Sequence, residues 1–167
     1  MSGSDAGWRQ TNADDLAAIQ QIGNVIHPDL LERPDVFAEK LSLFPEGCLI
    51  LEGDGVLGYA FVHPWRLNDI PKLDELLLRL PPDPECLLIH DVAILELARG
   101  RGAAGKLIER IATLAKDRNL SYLALVSVYD SHHLWARLGF DLVSSDDLAN
   151  KLSCYGVTAR YMVRSLK

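Results

Sequence analysis

The chain is poor in features that stabilise or anchor a protein by special means. It has three cysteines, Cys48, Cys86 and Cys154. They are odd in number and far apart, with none of the close pairs that hold zinc or build a disulfide framework. Read as small buried hydrophobes, they imply a reducing compartment, and a cytoplasmic location is expected. No apolar run reaches the length of a membrane span, and no signal-peptide pattern is visible. Internal repeats and low-complexity segments are absent. Positive charge is not in excess: 17 Lys and Arg stand against 23 Asp and Glu, a net charge of -6. That balance argues against a nucleic-acid partner and is compatible with a cationic amine substrate. What remains is an ordinary globular composition, 49% hydrophobic and 24% charged over 167 residues. It suits a single domain spanning residues 1–167 with a substantial core, in which the small, polar residues 1–7 are expected to fray.

Periodicity orders the rest. Trp8 to Thr11 reads as a short strand. Ala13-Asp14-Asp15 reads as a helix entry with acids in the first turn, followed by Leu16, Ile19, Ile22 and Ile26 at helical spacing. Pro28 ends that helix and Pro34 starts a second. Cys48 to Glu52 and Val56 to Pro64 flank Gly53-Asp54-Gly55, a hairpin signal because such turns need positive φ. Trp65 to Glu85 is an insertion with an expected helical piece from Lys72 to Leu80; long insertions of this kind commonly shape a site. Leu87 to Leu97 is an apolar run broken by His90, Asp91 and Glu96. An amphipathic helix with Leu107, Ile108, Ile111 and Leu114 on one face follows, and then a near-continuous apolar strand, Tyr122 to Tyr129. Strand, helix and strand make one right-handed parallel βαβ unit. Asp130 is read as the cap of a short helix from Ser131 to Leu138, ended by Gly139. Phe140 to Val143 and Val157 to Leu166 are read as the last strands, joined by a polar connection.

Arg99 to Lys106, RGRGAAGK, lies where the central helix begins. Glycines there let backbone N–H groups approach an anion, and the helix dipole adds positive potential. Arg99, Arg101 and Lys106 add formal charge. The residues predict a phosphate or pyrophosphate site, and three motifs compete for them. Gly100-x-x-x-x-Gly105-Lys106 is a triphosphatase loop, but the magnesium-binding hydroxyl that should follow is replaced by Leu107. Gly100-x-Gly102-x-x-Gly105 is a dinucleotide fingerprint, with Asp130 roughly placed as a ribose acid. Here, however, Glu96 to Arg99 separate the glycines from their strand. The third reading is Arg99-x-x-Gly102-x-Ala104.

That third motif resembles the pyrophosphate loop of the GNAT superfamily of acyl-CoA-dependent N-acetyltransferases. Two further motifs resemble the same family at the right spacing: Leu134-Trp135-Ala136-Arg137-Leu138-Gly139-Phe140, and the hairpin strand Gly58-Tyr59-Ala60-Phe61-Val62. The resemblance implies an α/β (α+β) fold, a mixed and mostly antiparallel sheet with one parallel βαβ unit and a splayed strand pair. It implies that Val92, Ala93 and Ile94 pair with the pantetheine arm of acetyl-CoA. The pyrophosphate would rest on Arg99, Gly100, Arg101, Gly102, Ala103, Ala104, Gly105 and Lys106, with Ser131 and Trp135 beside the cofactor. The implied reaction is direct attack of a primary amine, on a small molecule or a peptide, upon the thioester.

No metal is needed for such a reaction. His90, four residues before Ile94, is the expected base, with His63 a weaker one. By strand alternation His90 and Asp91 are expected on opposite sheet faces. The family's tyrosine acid is replaced by Trp135, whose indole N–H is not a labile proton source. Tyr129 and Tyr155 are the expected catalytic hydroxyls, with Ser131 and His132 as further candidates. Asp69, Asp74 and Glu75 in the insertion are compatible with a cationic acceptor. A non-catalytic acyl-CoA binder and a dinucleotide-dependent oxidoreductase are the competing readings. The expected assembly is a monomer or a homodimer, with no membrane or nucleic-acid partner.

Overall fold

The computed structural model describes residues 5–167. Its centre is a seven-stranded sheet in the order β1-β2-β3-β4-β5-β7-β6. The strands are β1 (Gly7–Gln10), β2 (Cys48–Gly53), β3 (Gly55–Trp65), β4 (Cys86–Ile94), β5 (Tyr122–Ser127), β6 (Asp141–Leu142) and β7 (Arg160–Ser165). Every neighbouring pair is antiparallel except β4 and β5. The expected mixed sheet with its parallel βαβ unit is therefore present. Part of the terminal segment expected to fray, residues 1–4, lies outside the described residues, whereas Gly7 already pairs with Glu52 in β1.

Among the described residues five α-helices cover the sheet: α1 (Leu16–Ile26), α2 (Pro34–Leu43), α3 (Ala103–Asp117), α4 (His132–Arg137) and α5 (Asp146–Leu152). On one face, Leu107, Ile108, Ile111 and Ala115 of α3 pack with Trp135 and Phe140 against Val62, Leu87, Ile89 and Leu125. On the other, Ile19, Ile22 and Phe37 of α1 and α2 meet Cys48, Ile50, Tyr59, Phe61 and Ala93. A third cluster joins α5 to the insertion through Ile70, Leu88, Leu148, Tyr155 and Tyr161. Cys48 and Cys86 sit inside these clusters, and burial pushes both thiols up to about 12. They are core residues; Cys154 is exposed.

Three local expectations need correction. Lys72 to Leu80 is not helical. Its backbone donors serve other acceptors: Glu39 takes the Leu77 and Leu78 N–H groups, and Glu32 takes that of Asp74. Asp74 and Leu78 also hold positive φ, at 59° and 67°, which a helix forbids. Asp130 does not cap α4; the cap position is Ser131, and Asp130 instead lies at positive φ and pairs with His132. The polar connection before β7 contains α5, whose N-cap Ser145 accepts from the Leu148 N–H.

Candidate active site

The site begins where two strands part. β4 and β5 pair only from Cys86↔Tyr122 to Ile89↔Leu125. Beyond that point both strands continue, β4 to Ile94 and β5 to Ser127, without pairing to each other. A bulge accompanies the divergence. Phe61 pairs with Asp91 and Val62 with Ile89, so His90 is the extra residue in β4. The cleft that opens has a volume of about 780 Å³. Val92 and Ile94 line one side, Val128 and Tyr129 the other, and the glycine loop closes one end.

Backbone direction within β4 follows from its partners. Leu95 donates to the Leu57 carbonyl on the β3 side. The Val92 carbonyl accepts instead from His27 Nε2 at 3.0 Å, and the Ile94 carbonyl from Arg99 Nε at 2.9 Å. Polar groups alternate along a strand, so the N–H groups of Val92 and Ile94 also point away from β3 and into the cleft. Ala93, which the resemblance also implied for the cofactor, does not present its backbone to the cleft. Its backbone faces β3, and its side chain is buried among Tyr59 and Phe61.

At the far end, α3 starts at Gly102, whose φ of 80° suits glycine. Lys106 is the first residue to donate back, to the Gly102 carbonyl. The N–H groups of Ala103, Ala104 and Gly105 precede that bond and lack an intrahelical partner, the arrangement that binds anions. Arg99, Gly100, Gly102, Ala103, Ala104 and Gly105 line the cleft. Arg101 and Lys106 do not; they line a separate pocket with Trp8 and Asp54. The cleft's second arginine is Arg137 of α4. Sequence reasoning missed it because only the fold carries α4 back to the loop.

The expected catalytic side chains are dispersed. Tyr129 lines the cleft, and its oxygen accepts from the Asp29 N–H at 3.3 Å. Burial raises its pKa. Ser131 and Trp135 also line the cleft, with the indole donating to Ser131 Oγ at 3.3 Å. Tyr155 is not at this cleft: its hydroxyl donates to the Pro71 carbonyl, it belongs to the insertion cluster, and burial raises its pKa. His132 pairs with Asp130 outside the cleft lining.

His90 is enclosed. Its side chain is 2% exposed, with Nε2 3.4 Å from Glu32. His63 lies behind it, ring centroids 5.5 Å apart, and burial together with the charge of His90 lowers His63 to about 3. His90 and Asp91 do not face opposite ways. Both reach the segment between α1 and α2, His90 at Glu32 and Asp91 at His27, because the bulge breaks the alternation.

A second residue that sequence reasoning missed is His27, just past the end of α1. It lines the cleft, and its ring lies parallel to that of Tyr129, centroids 5.8 Å apart. Nothing in its local sequence signals a role, since the contacts that define it come from Asp91 and Val92 of β4 and from Tyr129 beyond β5.

The model of the acetyltransferase (GNAT) family matches residues 14–140, and the chain belongs to that family. Solved structures repeat the fold at low identity. Ard1 from Thermoplasma volcanium aligns with a TM-score of 0.73 and 13% identity over 98% of this chain and 99% of its own. N-acetylglutamate synthase from Neisseria gonorrhoeae, in complex with coenzyme A and N-acetyl-glutamate, aligns at 0.71 and 19% identity, over 97% of this chain and 35% of its own. The NatC complex bound to Gag peptide and CoA aligns at 0.69 and 17% identity, over 98% and 99% of the respective chains. No curated protein matches by sequence.

Proposed function

We propose that the chain transfers an acetyl group from acetyl-CoA to a primary amine of a small molecule or peptide, by direct attack of the amine on the thioester. The observation that carries this reading is the register break after Ile89 and Leu125. An extended pantetheine arm fits between the parted strands, its amide carbonyls accepting from the N–H groups of Val92 and Ile94. The diphosphate then reaches the free N–H groups from Ala103 to Gly105, with Arg99 and Arg137 as counter-charges. Trp135 and Leu138 give the cleft wall an apolar surface.

The dinucleotide alternative asks for a glycine turn directly at a strand end. Here a 3₁₀ turn, Glu96–Ala98, separates β4 from the loop. Attack of the amine leaves a thiolate that needs a proton. Tyr129 is the cleft phenol, and its hydroxyl accepts from Asp29, which leaves its own hydrogen free to donate. Its raised pKa keeps that proton in place at neutral pH.

Thermal shift and thiol release test the proposal together. Ligand at about 100 times its Kd stabilises a two-state protein by about 2.7 kcal/mol. CoA should give a shift of this kind and NAD(P) none, and acetyl-CoA with an amine panel should release free thiol. A shift with NAD(P) alone would replace the proposal with the oxidoreductase reading. CoA binding without thiol release on any amine would make the chain a non-catalytic binder.

A further inference from the structure

We propose that His27, held by Asp91, is the base that takes the proton from the acceptor amine. This rests on the transferase reading above and goes beyond it by assigning the proton acceptor to a residue between α1 and α2.

Position is the first argument. His27 borders the cleft beside Val92, whereas His90 is shut in against Glu32. The second argument is the tautomer. Nε2 faces two acceptors, the Val92 carbonyl at 3.0 Å and Asp91 Oδ1 at 3.1 Å. With two acceptors before it, Nε2 carries the hydrogen, and the lone pair of the neutral ring falls on Nδ1. Nδ1 has no partner among the described residues. A buried imidazole acceptor left unbonded costs stability unless something uses it.

The third argument is support. The other oxygen of Asp91, Oδ2, accepts from the Tyr59 hydroxyl at 2.8 Å, and Tyr59 is fully buried. The carboxylate is held at both oxygens, and the ring is fixed by hydrogen bonding at one nitrogen while the other stays unbonded. Asp91 is a positioning residue that also favours the imidazolium formed on proton transfer. The groups facing His27 are Asp91 and the Val92 carbonyl from β4, Glu32 from the α1–α2 segment, and Tyr129 beyond β5. Burial works against protonation of the ring, but the Asp91 bond and charge outweigh it, and the His27 pKa is raised.

In the reaction, the amine nitrogen bonds to the thioester carbonyl carbon while its proton passes to Nδ1, directly or through one water. Nδ1 is covered by the protein. Catalytic hydrogen bonds commonly form only once substrate is bound. The carbon–sulfur bond then breaks and the thiolate takes the Tyr129 proton. Loss of a proton from the imidazolium to solvent, and uptake of one by the Tyr129 phenolate, returns both groups to their starting states. The products are an amide and free CoA thiol.

The test combines nitrogen-15 NMR of the imidazoles with pH-resolved thiol release, on wild type and on the His27→Gln and Asp91→Asn variants. Melting and CoA-induced shifts show that each variant folds and keeps its cofactor site. The expected results are a hydrogen on Nε2 of His27 and an acidic kcat limb that coincides with its NMR titration. His27→Gln should lose at least a hundredfold in kcat with KM for acetyl-CoA changed less than threefold. Asp91→Asn should move the acidic limb downward. A hydrogen on Nδ1 in the neutral ring, or an unchanged pH profile in His27→Gln, overturns the assignment while leaving the transferase intact. Wild type that binds CoA but releases no thiol overturns the transferase reading itself, and the assignment falls with it.

Discussion

At the residue scale, the fold shifts the pKa values of two histidines in opposite directions. His63 is buried neutral, with its pKa lowered to about 3 from 6.5. Between those values the unfolded chain binds a proton that the native chain refuses, so this residue makes stability fall as pH drops. His27 is raised above 6.5. Its contribution is fully present below that value and is lost as pH rises through the folded pKa. A urea-denaturation series on His63→Gln should therefore show a flatter loss of stability from pH 6.5 toward 4 than wild type. An identical slope would mean that His63 protonates freely in the native protein. Tyr129 carries the second residue-scale prediction. Removing one positioned acid costs about 10²- to 10⁴-fold, so Tyr129→Phe should lower kcat by about a hundredfold and leave CoA binding unchanged. Equal loss in binding would recast the residue as part of the cleft wall.

At the element scale, the separation of β4 from β5 depends on β4 being held firmly by β3. Gly58 marks that contact: a Cβ there would stand 2.6 Å from the Ala93 carbonyl. Gly58→Ala is expected to destabilise the protein by about 1–3 kcal/mol, read as a fall in the urea midpoint. Retention of wild-type stability would show that the two strands yield easily. The insertion is held in a different way. Glu39 on α2 binds two successive N–H groups, those of Leu77 and Leu78. Glu39→Gln should raise proteolytic nicking between Leu73 and Leu80 before the core unfolds; equal nicking rates would mean that other contacts hold the segment. These elements also show what the sequence made readable. The hairpin around Gly53-Asp54-Gly55, the amphipathic α3 and the continuous β5 announce themselves by period and turn chemistry. The false helix over Lys72 to Leu80 had local propensity, but acceptors on α2 and before it override it.

At the scale of the whole molecule, the anion-binding loop of the candidate cleft was legible, and of the proposed reacting groups only Tyr129 was. The loop from Arg99 to Gly105 is contiguous, so its glycines and its helix start could be read directly. His27, Asp91 and Tyr129 come from three distant segments, and no spacing rule relates them. The bulge at His90 belongs to the same class: one extra residue in β4 undoes strict alternation, and nothing local marks it. Among the described residues no helix is long and apolar enough to cross a membrane. The competing phosphate-site readings differ in what they require of β4, and that difference is measurable at single amides.

Hydrogen exchange at β4, followed by NMR with and without saturating CoA, tests the central claim most directly. Ala93 bonds to β3 and should exchange slowly in both states. Val92 and Ile94 should exchange faster in the free protein and become protected when CoA is added. Val92 and Ile94 amides that are slow without CoA, or unaffected by it at saturation, would contradict an arm seated between parted strands.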